Sequence, residues 1–149
     1  MFSKETGRVL RAAGWWPGRR VDTAAWRAAL EEDGFRVHDA AERFLAEYGG
    51  LDIRDNSVSG YFMARPQPVR LDPMLLLGEA DRFADWGARA GHSLCGVGEL
   101  TQYGTFAGFL GIDEESVIYL VSDWLGSFGP LPEALDPLVL GGDPEVINA

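Results

Sequence analysis

The sequence predicts an α+β fold, with N-terminal helices and one central helix packed on a mostly antiparallel or mixed sheet. Three observations carry this. Apolar residues recur at helical spacing through the first third of the chain and again near residues 74–90. Later strand-like segments follow one another directly rather than alternating with helices, an order that disfavours a doubly wound parallel sheet. The 149 residues, 46 % of them hydrophobic, suffice for a core without staples, so one domain over 1–149 is expected.

A first helix is expected over 4–13, with Ser3 as N-cap, Val9 and Leu10 on its apolar side and Gly14 as a left-handed stop. Pro17-Gly18 in "GWWPGRR" predicts a turn. An indole fills the corner between two helices, and a neighbouring arginine stacks on it or reaches helix-end carbonyls. Two adjacent indoles do not easily face the same way, so Trp15 is predicted buried and Trp16 exposed. Asp22 is expected to cap the second helix, "TAAWRAALEED", where Trp26 and Leu30 share a face and Gly34 ends the run. His38 stands at the start of a third helix over 39–48 and is read as its cap. Ala41, Phe44, Leu45 and Tyr48 form that helix's stripe, and Gly49-Gly50 stops it.

The pattern then changes. "LDIR" and "VSGYFMA" read as short strands around Asp55-Asn56, and Pro66, Pro68 and Pro73 make 66–73 irregular or edge-like. Residues 74–90 read as one helix through Leu76, Ala80, Phe83 and Trp86, ended by Gly91. "SLCGVGEL", "TFAGFLGID" and "SVIYLVSD" read as strands, the last two joined at Asp113-Glu114-Glu115. "LPEALDPLVLG" reads as a short helix broken near Pro137.

Little in the chain suggests catalysis. His92 and Cys95 are three apart in an extended stretch, where alternating side chains point to opposite faces, so a dyad would need a bulge and a buried, inert Cys95 is expected. "GVGEL" and "GTFAGFLG" lack the helix and acidic residue of a dinucleotide site, and there is no G-K-[ST] phosphate loop. "IDEES" lacks the alternating oxygen donors and central glycine of a calcium loop. No catalytic, cofactor or metal site is predicted. One cysteine excludes an internal disulfide, the N-terminus does not read as a signal peptide, and no apolar run reaches the ~20 residues of a bilayer span. These features together predict a cytoplasmic protein.

Charge is the informative feature. The net charge is −10; residues 1–50 hold 8 basic and 8 acidic residues, whereas 51–149 hold 5 and 15. Such a surface repels nucleic acid and anionic lipid and attracts basic partners.

An ordered set of short motifs resembles one family. Gly14-Trp15-Trp16-Pro17-Gly18-Arg19 resembles a G-W-x-P-G-R opening, and Phe44-Leu45-Ala46-Glu47-Tyr48-Gly49-Gly50-Leu51 an "fLxeYGGL" helix end. Val97-Gly98-Glu99, Phe109-Leu110, Ile112-Asp113-Glu114, Tyr119, Ala134-Leu135 and Gly141 follow in order. Together they resemble the third immunity-protein subgroup of the SUKH superfamily, the Smi/Knr-like proteins found beside bacterial polymorphic toxins. The chain departs at Gly96, where proline is common, and at Ser116, where the hairpin glycine is expected. The resemblance implies an α+β fold, no enzymatic activity and no cofactor. It also implies a cognate toxin as partner, commonly a nuclease or nucleic-acid deaminase. A monomer or weak homodimer is expected. Trp16, Glu99, Asp113, Glu114, Glu115, Asp123 and Trp124 are the expected contact residues. A regulatory or scaffolding module of the same superfamily is the alternative, and a small enzyme using Cys95, His92 and Glu99 a third reading.

Overall fold

The computed structural model describes residues 1–54 and 67–147. The chain runs α1 (Lys4–Ala12), α2 (Ala24–Asp33), α3 (Asp39–Tyr48), β1 (Asp52–Ile53), β2 (Val69–Arg70), a 3-10 turn (Pro73–Leu76) and α4 (Ala80–Ala90). It continues with β3 (Cys95–Gln102), β4 (Thr105–Ile112), β5 (Val117–Val121), β6 (Leu125–Pro130), α5 (Leu135–Leu140) and β7 (Glu145–Ile147). Among the described residues the strands form one seven-stranded antiparallel sheet in chain order, β1 to β7. The predicted α+β class is the one observed.

The first three helices form where the sequence places them. Ser3 caps α1 by accepting the Thr6 N–H at 3.2 Å. Asp22 accepts the Ala24 N–H at 2.9 Å, but the N-cap position itself belongs to Thr23, one residue later than predicted. His38 caps α3: its Nδ1 accepts the Ala41 N–H at 3.2 Å. Its Nε2 lies 3.0 Å from Ser93 O and 3.2 Å from Ile112 O. A ring protonated at Nε2 alone satisfies both ends, tying the start of α3 to the sheet.

Other expectations need correction. Residues 74–90 are not one helix. Asp72 caps the 3-10 turn through the Met74 N–H at 3.0 Å, and Gly78, at φ +94°, then reverses the chain before α4. The Gly78 N–H is held by Asp33 at 3.0 Å. The "VSGYFMA" strand lies outside the described residues, whereas the proline-bounded stretch supplies β2, which pairs with both β1 and β3. Strands β6 and β7 were not predicted, because the glycines and prolines of their segments mask the alternation. Pro137 does not break α5; it sits in the first turn, where its missing N–H costs nothing, and the helix runs on to Leu140 with Gly141 as its left-handed cap.

The core explains two glycines. Gly96 and Gly111 are cross-strand partners. A Cβ on Gly96 would lie 2.5 Å from Leu76, and one on Gly111 2.8 Å from Phe83. This bare spot lets the 3-10 turn and α4 settle on the sheet, with Leu76 and Phe83 fully buried. The departure at Gly96 is therefore a packing adaptation. The departure at Ser116 is a strained one: it holds φ +65°, the region that favours glycine.

Candidate partner-binding surface

The predicted contact residues fall in three places. Trp16 lies in the turn between α1 and α2. Its neighbour Trp15 is 8 % exposed, while Trp16 is 53 % exposed, as the sequence predicts. Trp15 stacks on Tyr48 at 6.4 Å, meets the edge of Phe2 at 5.5 Å and donates its Nε1–H to Glu47 at 3.1 Å. The Arg19 guanidinium lies 5.7 Å from the Trp16 ring and donates to Glu47 O at 2.7 Å and Gly49 O at 2.9 Å. Those carbonyls end α3, so a cation satisfies acceptors that the helix leaves open. A Cβ on Gly49 would stand 2.5 Å from the Trp26 ring. The opening motif and the "YGGL" motif thus lock one corner.

The second place is the β4–β5 turn. Here the expectation for Asp113 is corrected: its side chain is fully buried and builds the turn. Asp113 Oδ1 accepts from the Glu115 and Val117 N–H groups at 2.8 and 3.0 Å, and Oδ2 from the Tyr119 hydroxyl at 2.9 Å. Glu114 and Glu115 are exposed. Glu114 is nevertheless engaged, by His92 Nδ1 at 3.0 Å and the Ser93 N–H at 3.1 Å. The hydrogen bond to Glu114 raises the His92 pKa against partial desolvation, and the charges of Asp113, Glu114 and Glu115 add to it. Desolvation works to raise the Glu114 carboxyl, yet its own N–H, His92 and the Ser93 N–H together hold it below the usual carboxylate range. Ligand-type atoms of His92, Asp113 and Glu114 gather within 4.8 Å. Their acceptors already serve the turn and the α4–β3 link, so the cluster works as an internal clasp.

The third place is the opposite end of the sheet, which carries the β5–β6 turn and, beyond it, the longer β3–β4 hairpin. Asp123 is fully exposed and Trp124 is 38 % exposed. Trp124 lies over Gly126 beside Pro144, where a Cβ would approach its ring to 2.7 Å. Glu99 stands on β3 between Arg70 of β2 and Phe109 of β4, with its carboxylate 3.3 Å from the Arg70 guanidinium. Sequence reasoning missed the aromatic side chains here. Tyr103 and Phe106 are more than half exposed, and Phe106 meets the edge of Phe109 at 5.0 Å. Residues three apart in a regular strand face opposite sides. Leu100 pairs with Gly108 but Thr101 with Phe106, so Ala107 is skipped and the parity flips. That bulge brings both phenylalanines to one face. The signal in the sequence was "QYGTF", an aromatic residue on each side of a turn glycine. A shallow groove beside this end is lined by Glu79, Asp81, Asp85 and Asp123, with Arg82, Arg89 and Trp86 among them.

A family model described as SUKH-3 immunity protein matches residues 2–141. The chain belongs to this family. No curated protein and no solved structure matches it. Membership gives this SUKH-3 protein an immunity role and a toxin as its kind of partner. The shared motifs are chiefly framework: Trp15, Arg19, Gly49, Gly98, Asp113 and Tyr119 are each held by packing or hydrogen bonds.

Immunity families are generally non-enzymatic, and the Cys95 reading gains no support from the geometry. Its thiol is fully buried, and burial pushes it up to about 12, far from a thiolate at neutral pH. His92 is engaged by Glu114, and Glu99 by Arg70. No helix among the described residues is long and apolar enough to cross a membrane.

Proposed function

We propose that this SUKH-3 protein, acting in the cytoplasm as one domain, neutralises a cationic toxin domain of the nuclease or nucleic-acid deaminase class. It does so by covering the toxin's substrate groove with the aromatic, acidic end of the sheet. The observation that carries this is the exposure of Tyr103, Phe106 and Trp124 at the end of the sheet that also holds Glu99 and Asp123, all within residues 51–149, whose 5 basic and 15 acidic residues account for the whole net charge of −10. Aromatic anchors inside a charged rim are the usual anatomy of a tight interface. A toxin that grips a polyanion needs a basic groove, and carboxylates can occupy it in place of phosphates. Glu114 and Glu115 lie at the far end of the sheet and would serve as a separate acidic point.

The test is capture of the partner from the native cell, followed by stopped-flow association with the purified toxin domain. Association should slow steeply as salt rises, because charge steering is screened. A flat response to ionic strength overturns acidic occlusion, and recovery of housekeeping enzymes alone, with no toxin, points to the regulatory module.

A further inference from the structure

A large groove in the described structure lies away from that surface. It has a volume of about 1130 Å³, and its lining combines Lys4, Arg8 and Arg11 with Phe2, Trp15, Pro17, Tyr48 and Pro132. The three cations stand at i, i+4 and i+7 of α1, one stripe along the helix. Its buried residues, Thr6, Val9 and Leu10, face the other way. Among the described residues, neither Lys4 nor Arg11 has a carboxylate at ion-pair distance, and Arg8 has only Glu5 of its own helix, at 3.0 Å. Such an exposed pair costs little to exchange for another. The Arg11 guanidinium lies 5.6 Å from the Trp15 ring, so charge and aromatic surface adjoin.

We propose that this groove binds an extended acidic peptide segment in which carboxylates alternate with apolar side chains. The dimensions select this class. Lys4 and Arg8 are separated by roughly 6 Å along the helix axis, and Lys4 and Arg11 by roughly 10 Å. In an extended chain, side chains two residues apart lie on one side at roughly 7 Å. The first two carboxylates on one side therefore fall opposite Lys4 and Arg8, the third, at roughly 14 Å, is met by the long Arg11 side chain reaching along the groove, and the intervening side chains meet Trp15, Tyr48 and Pro132. A polynucleotide fits less well. Glu47 lines the groove and the rest of the molecule is strongly acidic, so a long polyanion would meet repulsion beyond the three cations. The proposal does not depend on the toxin reading, since it concerns a different surface and the opposite charge.

The probe is a synthetic peptide, acetyl-Asp-Phe-Glu-Phe-Asp-amide, titrated against the full chain with indole fluorescence as readout. Saturable binding that weakens at high salt is expected. The variant Lys4→Glu/Arg8→Glu/Arg11→Glu should lose at least about 10-fold in affinity, and Arg8→Gln alone, a mild change on an exposed side chain, a few-fold. No binding to the wild type, binding to the folded Arg8→Gln protein and to the charge-reversed variant as tight as to the wild type, or tighter binding of a short oligothymidylate each overturns the proposal.

Discussion

Two aromatic groups in this chain meet water in opposite ways. At the α1–α2 corner, Trp15 and Tyr48 are buried, the indole N–H is satisfied and Arg19 closes the nearby carbonyls. At the far end of the sheet, Tyr103 and Phe106 are more than half exposed, and only Phe109 touches the core. The first group has its work inside the fold. The second contributes little to folding, yet the chain keeps large apolar rings in water, a cost that an interface recovers. The difference separates the framework that the family's motifs build from the surface proposed above to meet a partner.

The sharpest way to break this contrast is to truncate each side. Trp15→Ala should destabilise the fold by about 3–5 kcal/mol, since it removes a buried ring and leaves Glu47 without its indole donor. Urea unfolding measures it, and a loss below about 1 kcal/mol would place Trp15 with the exposed group. Phe106→Ala should do the reverse: partner affinity falls by about 2 kcal/mol, roughly 30-fold, while stability changes by less than about 1 kcal/mol. Calorimetry with the captured toxin reads the first and thermal unfolding the second. Arg19→Met sits between these in size. It strands two helix-end carbonyls and should cost about 1.5–3 kcal/mol of stability with no effect on association.

The corner was legible in the sequence because its signals are local. A glycine stop, a Pro-Gly turn and two indoles within a few residues fix who is buried, and Ser3, His38 and Gly34 mark helix ends by their own chemistry. The sheet end was legible only in part. Its acids were visible as charge, and Trp124 as an aromatic, but the pairing of Phe106 with Phe109 depends on a bulge that alternation does not reveal. Asp113 was misread for a related reason. A carboxylate beside Glu114 and Glu115 looks like a solvated tip, yet the turn folds it inward to collect two backbone N–H groups and a phenol. Charge can be counted along a chain, but exposure depends on how the turn folds.

Smaller effects sharpen the picture at that turn. His92 rises from 6.5 on pairing with Glu114, whose own value falls below 4.5. The His92 contribution is complete below its unfolded value and fades as pH climbs through the raised folded one. The Glu114 contribution is complete above its unfolded value and fades as pH drops through the lowered folded one. Both act together between about pH 4.5 and 6.5. His92→Gln should therefore lower Tm more at about pH 5.5 than at about pH 9, by an amount worth under about 1 kcal/mol because the pair is partly solvated. Equal losses at both pH values would mean that the clasp is neutral. Smallest of all, Ser116→Gly should stabilise by roughly 0.5–1 kcal/mol, because it relieves a left-handed backbone at the price of some unfolded-state entropy.

The order of the sheet has a consequence for how this protein diverges. Because the strands lie side by side in the sequence in which they are made, Glu99, Tyr103, Phe106, Phe109, Asp123 and Trp124 all fall within one uninterrupted stretch, residues 99–124. The locked corner is encoded far upstream of it. Within that stretch the exposed positions are interleaved with buried ones such as Leu100, Leu110, Asp113 and Tyr119, so the outward side chains can vary one by one only while the inward ones between them stay in place.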